Sequence, residues 1–301
     1  MSIFKRVLNY LFDNDCRFRV NATHGFHDGM DDETFLKRYY KARTGRTLDL
    51  EHPKTFNEKL QWLKLNDRNP LYHTLVDKAD VKQYVANLIG EQYIIPTYGV
   101  WDSFEEIDFD SLPEQFVLKC THDSHSVFIC KNKKSFDFQN AKKKINRALK
   151  KDYFYQSREW PYKGVKPRVI AEKFMVDESG TELKDYKVLC FDGEPKLIEL
   201  HQGRFSGQHY QDFYDVNWNK TTIRNIHELL YPNDAPRPGC LDQMLKFSRV
   251  LSKDIPHVRV DWYVVNDELL FGELTFYDAS GFDLFYDDQD DLMLGSWISV
   301  I

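Results

Sequence analysis

The chain has 301 residues, enough for two small domains or one body with lobes. Hydrophobic residues make up 42% and aromatic residues 15%, which excludes a disordered chain. Lysine and arginine total 41 against 47 aspartate and glutamate residues, a formal charge of −6, and this mild acidity excludes the broad basic surface of a general nucleic-acid binder.

Cys16, Cys120, Cys130, Cys190 and Cys240 form no C-x-x-C pair and read as free thiols of a reducing compartment. No apolar run reaches the ~18 residues of a membrane span. The N-terminus has no small-residue cleavage site, so a cytoplasmic protein is expected. Ile3, Phe4, Val7, Leu8, Leu11 and Phe12 recur at helical spacing with Lys5 and Arg6 between them. Such a helix either docks on its own domain, the plainer reading, or makes a peripheral membrane contact.

The first ~90 residues read as mostly helical. One helix runs from about Asp32 to Arg43 and closes at Gly45. Thr55-Phe56-Asn57-Glu58 is a capping box that opens a second, ending near Asn66. A third spans about Lys78 to Leu88 and stops at Gly90. The pattern then changes to strands at Tyr93-Ile94-Ile95, Phe116–Lys119, Ser126–Cys130 and Val169–Val176. Asp137 caps a helix through Lys150, and another spans Leu241 to Ser252. Tyr186–Phe191 and Lys196–Leu200 form a hairpin around Asp192-Gly193, a strong turn dipeptide. Helices mixed with antiparallel hairpins give an α+β class.

The strongest strand pair is His257–Val265 with Leu269–Tyr277. Alternation puts Val258, Val260, Trp262 and Val264 on one face and Arg259, Asp261 and Tyr263 on the other. On the return strand Leu270, Leu274 and Phe276 form the apolar set, and Phe271, Glu273 and Thr275 the alternate set. A three-residue loop at Asn266-Asp267-Glu268 pairs Val265 with Leu269 and sets Asp261 opposite Glu273. Opposed carboxylates repel across a ladder. A divalent cation removes that repulsion, and magnesium favours one or two carboxylates plus phosphate oxygens. A solvated face of mixed charge is the other reading of the same spacing.

Lys119 ends an apolar strand before Thr121-His122-Asp123-Ser124-His125-Ser126. Backbone N–H groups, the Ser124 and Ser126 hydroxyls and the ammonium suit a phosphate, or Lys119 is an exposed edge lysine. Asp77-Lys78 opens a helix, and helix N-termini favour anions. Asp185 and Lys187 share a strand face, as a salt ladder at least. Ile170-Ala171-Glu172-Lys173-Phe174 reads as an edge strand whose backbone hydrogen-bonds a planar base. Phe205–Tyr214 and Trp218 suit stacking on sugar rings or a core, with Arg204 placed to hold a carboxylate. The segment Pro232–Gly239 is a lid or a stiff connector. Lys131 to Lys151 holds nine basic side chains and one acid, a patch for a polyanionic glycan or a solvated helix face.

In order, Thr55–Trp62, Asp77-Lys78, Phe116–Lys119, Ala171–Phe174, Asp185–Lys187, Val258–Asp261 and Gly272–Phe276 resemble the TupA-like ATP-grasp family of surface-polysaccharide gene clusters. The resemblance covers about Pro53 to Gly295. It implies an ATP-grasp fold of two α+β lobes enclosing ATP, with residues 1–95 as a mostly helical region. Residues 96–176 are then the lobe with the phosphate loop and adenine hinge, and 177–301 the lobe with the magnesium and substrate site. It implies Lys78, Lys119 and Lys187 on the ATP phosphates, Glu172, Lys173 and Phe174 at the adenine and ribose, and Asp261 and Glu273 on Mg2+. Arg259 stabilises the acyl phosphate in that pattern. Two departures stand out. The phosphate loop lacks glycine, and Thr275 replaces the usual Asn, which leaves it a weak metal ligand.

The implied reaction is ATP-dependent carboxylate–amine ligation through an acyl phosphate, joining an amino acid or amine to a uronic acid. Two other classes remain open. A glycosyltransferase would use D-x-D, matched in letters by Asp108-Phe109-Asp110 and Asp288-Gln289-Asp290. A non-catalytic glycan-binding protein would fit the glycine-free loop.

Overall fold

The computed structural model describes residues 3–124, 126–176, 184–203 and 209–300, with the backbone alone for 3–6. Arg204 and Phe205 lie outside the described residues.

Six helices lead the chain: α1 (Ile3–Phe12), α2 (Asn14–Thr23), α3 (Asp32–Thr44), α4 (Phe56–Asn66), α5 (Leu71–Val76) and α6 (Asp80–Ile89). Local chemistry sets their ends. The Asp31 carboxylate accepts from Thr34 N and opens α3, which closes at Gly45 with φ 76°. Thr55 and Glu58 form a reciprocal capping box on α4. Along α1, Leu11 and Phe12 are exposed at 55% and 81%. No helix among the described residues is long and apolar enough to cross a membrane.

A four-stranded antiparallel sheet follows, from β1 (Thr97–Trp101), β2 (Phe116–Cys120), β3 (Val127–Cys130) and β4 (Val169–Lys173), in the order β1-β4-β2-β3. Helices α7 (Phe138–Ala148) and α8 (Phe154–Ser157) separate β3 from β4. Alternation sends Phe116, Leu118, Val169 and Ala171 into a core with Ala141 and Ile145 of α7. Val117, Lys119, Ile170 and Glu172 point the other way.

The second sheet has five antiparallel strands in the order β7-β6-β5-β8-β9. They are β5 (Asp185–Phe191), β6 (Glu194–Gln202), β7 (Tyr210–Asp215), β8 (His257–Val265) and β9 (Glu268–Thr275), with α9 (Leu241–Leu251) before β8 and α10 (Asp288–Ser296) at the end. The main core packs Leu60, Val85, Met244 and Leu294 from α4, α6, α9 and α10 with Val260 and Trp262 of the sheet. Each such side chain gains about 1.5–3 kcal/mol on burial. A third cluster joins Phe35, Leu36, Tyr39 and Tyr40 of α3 to Phe282.

Several expectations need correction. Tyr93-Ile94-Ile95 is no strand: Glu91–Tyr93 is a 3-10 turn, Ile94 makes an isolated bridge to Phe271, and Pro96 delays β1 to Thr97. Strand β4 is no edge, because β1 and β2 take both its sides. The β8–β9 turn has two residues, Asn266 and Asp267, both left-handed at φ 51° and 63°, so Val265 pairs with Glu268. A bulge between Asp261 and Trp262 then absorbs one residue at Gly272 and restores Asp261 opposite Glu273. It also reverses the faces: Leu269 and Phe271 join the main core, and Leu270 does not.

Candidate active site

One register line crosses the large sheet. Glu199 pairs with Lys187, Lys187 with Asp261, and Asp261 with Glu273, so β6, β5, β8 and β9 present a charge row. Lys187 Nζ lies 2.5 Å from Asp261 and 2.9 Å from Asp185. Arg259 grips Asp261 with two hydrogen bonds of 2.7 and 2.8 Å, pairs with Asp278, and donates to Thr275 Oγ1 at 3.2 Å. The repulsion expected at the Asp261–Glu273 pair is therefore relieved by protein cations. Burial alone raises the Asp261 carboxyl, but Arg259 and Lys187 hold it below the usual range. Burial and the Arg259 charge lower Lys187, and Asp261, Asp185 and Glu199 reverse this to a net rise.

Glu273 is 36% exposed at its side chain, with Lys78 at 3.7 Å and Arg259 at 3.8 Å. Lys78 ties the helical region to both sheets, because its Nζ also donates to the Asp123 carbonyl of the loop after β2. Asp77 accepts from Ala79 N and Asp80 N just ahead of α6 and pairs with Arg168 at 2.9 Å.

On the small sheet, Glu172 accepts from Lys119 at 2.6 Å and Lys82 at 2.5 Å. Burial alone raises Glu172, yet the two ammonium groups pull it down to about 2. Burial alone lowers Lys119, and Glu172, with more distant Glu273 and Asp185, raises it instead. The Glu172 side chain is thus occupied by lysines. Lys173 N donates to Pro96 O at 2.9 Å, and Phe174 stacks with Lys131 at 5.7 Å.

The glycine-free loop is organised by its own acid. Asp123 accepts from Ser126 N at 3.2 Å and from Ser126 Oγ at 2.5 Å. Ser124 Oγ meets the Tyr153 hydroxyl at 2.5 Å. His122 is buried against Ala148 O at 3.2 Å.

Between these groups and α3 lies a cavity of about 340 Å³. Glu273, Thr275 and Arg259 line one end; Tyr39, Arg43 and Phe282 line another, with Ser124, Tyr153 and Tyr162 on its walls. Its floor contains Ala279 and Ser280, both left-handed at φ 43° and 57°. Lys64 Nζ holds that floor through Ser280 O at 2.8 Å and Ser157 O at 3.0 Å. Burial lowers Lys64 to about 7.

Lys119 and Glu172 pair with each other on the small sheet, Lys187 and Asp261 connect to the cavity through Arg259 and Lys78 through Glu273, and Ser124, Arg259, Glu273 and Thr275 line it. Trp218 does not: it stacks on Tyr214 at 4.4 Å and donates to Ala235 O at 2.9 Å. With Ala235 N bonded to the Tyr214 hydroxyl, Pro232–Gly239 is a pinned connector. The D-x-D letters are also structural. Asp108 accepts from Asp110 N in a turn, and Asp288 pairs with Arg46. Sequence reasoning missed Lys82, Glu199, Asp278, Tyr39 and Arg43. A buried acid in the apolar run Leu197–Leu200 was the available signal for Glu199.

The TupA-like ATPgrasp family model matches residues 58–299. No curated protein matches the sequence. The solved structures it resembles include the D-alanine–D-alanine ligase of Helicobacter pylori, at 16% identity over 81% of this chain and 69% of that one, TM-score 0.41. The Bacillus anthracis D-alanine–D-alanine ligase complexed with ATP matches at 17% over 67% and 55%, TM-score 0.38. A RimK domain ATP-grasp protein of Sphaerobacter thermophilus matches at 12% over 76% and 69%, TM-score 0.41. The chain spans 55% to 69% of the length of these three structures. On the extent of the family match, the chain belongs to the TupA-like ATP-grasp family.

Proposed function

We propose that this chain is an ATP-dependent carboxylate–amine ligase working through an acyl phosphate. The observation that supports it most is the register line Lys187–Asp261–Glu273, met by Lys78 from outside the large sheet. Three ammonium groups, each paired with carboxylates, suit a polyphosphate tail.

In this reading Lys78, Lys119 and Lys187 contact the phosphates, with the loop hydroxyls of Ser124 and Ser126 beside them. The segment Glu172–Phe174 borders the adenine, Glu172 acting by aligning Lys119. The donors fit magnesium unevenly. Glu273 faces the cavity with only long contacts to cations, so its oxygens retain lone pairs for a hard ion. Asp261 and Thr275 already accept from Arg259 and stand as the weaker ligands. Magnesium would neutralise phosphate charge there. Arg259, fixed by Asp261 and Asp278, is aimed at the charge on the activated acyl group.

A substrate carboxylate takes the terminal phosphoryl group, and the ADP displaced from it stays bound. An amine then takes the acyl carbon and phosphate leaves. Family membership favours a uronic acid of a surface polysaccharide as the carboxylate and an amino acid as the amine. The exposed lysines of α7 offer a surface for such a polyanion. In this reading, reliance on ATP favours a cytoplasmic reaction.

The test is nucleotide release with uronic acids and amino acids, singly and together. ADP that requires both supports the ligase; AMP, or UDP-sugar turnover in place of ATP, overturns it.

A further inference from the structure

Arg43 stands apart from the other arginines around the cleft. Arg46, Arg158, Arg168 and Arg259 each sit in an ion pair. Arg43 has none among the described residues. It lies in the last turn of α3 and lines the 340 Å³ cavity with Arg259 and Glu273.

Its position is built. Its guanidinium lies 5.6 Å from the Phe282 ring centroid. Phe282 is fixed edge-on against Tyr39 at 5.1 Å, within the cluster that locks α3 to the segment after Asp278. Two acids, Glu159 and Asp283, line the same cavity; burial pushes the Asp283 carboxyl up to about 6, and the Arg43 charge opposes that rise. The cavity thus carries an unpaired fork-shaped cation, acids beside it, and Arg259 with Glu273 elsewhere on its wall.

We propose that Arg43 is the specificity-determining anchor for a carboxylate on the acceptor that does not react, namely the α-carboxylate of an amino acid whose amine is joined. A planar guanidinium suits bidentate carboxylate recognition. Glu159 and Asp283 then face the acceptor's ammonium group before it becomes the nucleophile. Tyr39 and Arg43 precede the residues matched by the family model, which begin at 58, so the selectivity lies outside the shared nucleotide machinery. The inference rests on the ligase reading above.

The test compares the amino acid giving the fastest ADP release with its own α-carboxamide, in the wild type, Arg43→Ala and Arg43→Lys. The wild type should prefer the free acid. Arg43→Ala should lose about 10- to 100-fold in kcat/KM for the free acid, mostly in KM, the size of one charged hydrogen-bonded contact. It should leave the carboxamide and the KM for ATP unchanged, and Arg43→Lys should recover part of the loss. Equal wild-type rates on acid and carboxamide, or an equal loss on both in Arg43→Ala, overturns the anchor and leaves the ligase standing. No ADP from any pair in the wild type overturns both.

Discussion

Asp261 and Glu273 face each other across the β8–β9 ladder, and only Asp261 is gripped by protein cations. The same substitution at the two positions should therefore separate stability from activity. Asp261→Asn weakens the hold on buried Lys187 and Arg259 together, and should cost ~3 kcal/mol of stability as well as turnover. Glu273→Gln touches a half-exposed side chain and should leave stability within ~0.5 kcal/mol. It should still lower ADP release ~100-fold, by analogy with lost transition-state charge stabilisation. Chemical denaturation beside a coupled ADP assay reads both. Full ATP turnover in Glu273→Gln would remove it from any metal site.

The register that makes this pair depends on Gly272. A Cβ there would meet the Asp261 carbonyl oxygen at 3.0 Å and Tyr263 Cε2 at 3.2 Å. Gly272→Ala should push β9 away from β8 at the bulge and lower activity about tenfold or more while the protein stays folded. Near-ultraviolet circular dichroism and ADP release test this together. Unchanged activity would show that the bulge tolerates a side chain and does not set the register.

These cases show what the sequence made legible. Signals confined to a few residues read correctly: the Thr55–Glu58 box, the Gly45 and Gly90 stops, and the Asp192-Gly193 turn. A three-residue loop without a bulge and a two-residue turn with one both set Asp261 opposite Glu273, so the alternation pattern alone does not separate them. Sheet order escaped, because nothing within Val169–Lys173 says that β1 will cover its free side. Lys82, Tyr39 and Arg43 also escaped. Their roles depend on which strand or loop meets their helix, a property of the tertiary arrangement alone.

Glu172 binds Lys119 and Lys82, and Lys82 Nζ also donates to Ile95 O and Thr97 Oγ1, so Glu172→Gln should release the Lys119 ammonium group above all. A buried pair that loses one partner is destabilised by about 3–5 kcal/mol. The KM for ATP should rise, since Lys119 loses its alignment. The folded carboxyl lies near 2 against an ordinary value of 4.5. Its contribution is therefore full above about 4.5 and fades as pH falls towards 2. A stability profile of Glu172→Gln against the wild type should converge in acid. A constant gap from pH 6 to pH 3 would refute the ion-pair account.

His257 supplies a second acid-sensitive element with a different window. It is buried between Phe56, edge-on at 5.0 Å, and Phe191 at 4.8 Å. Burial pushes its pKa down to about 3 from an ordinary 6.5. Between those values the unfolded chain binds a proton that the folded chain refuses, so stability rises with pH from about 3 to 6.5 and falls on acidification through that range. His257→Phe keeps the aromatic packing and removes the titrating group. Its melting temperature should fall less than that of the wild type between pH 6.5 and pH 4, while the two stay parallel above pH 7. Activity at neutral pH should be unchanged, because His257 does not line the cavity. Parallel curves through the acid range would mean that His257 is protonated in the folded state, against its placement among rings.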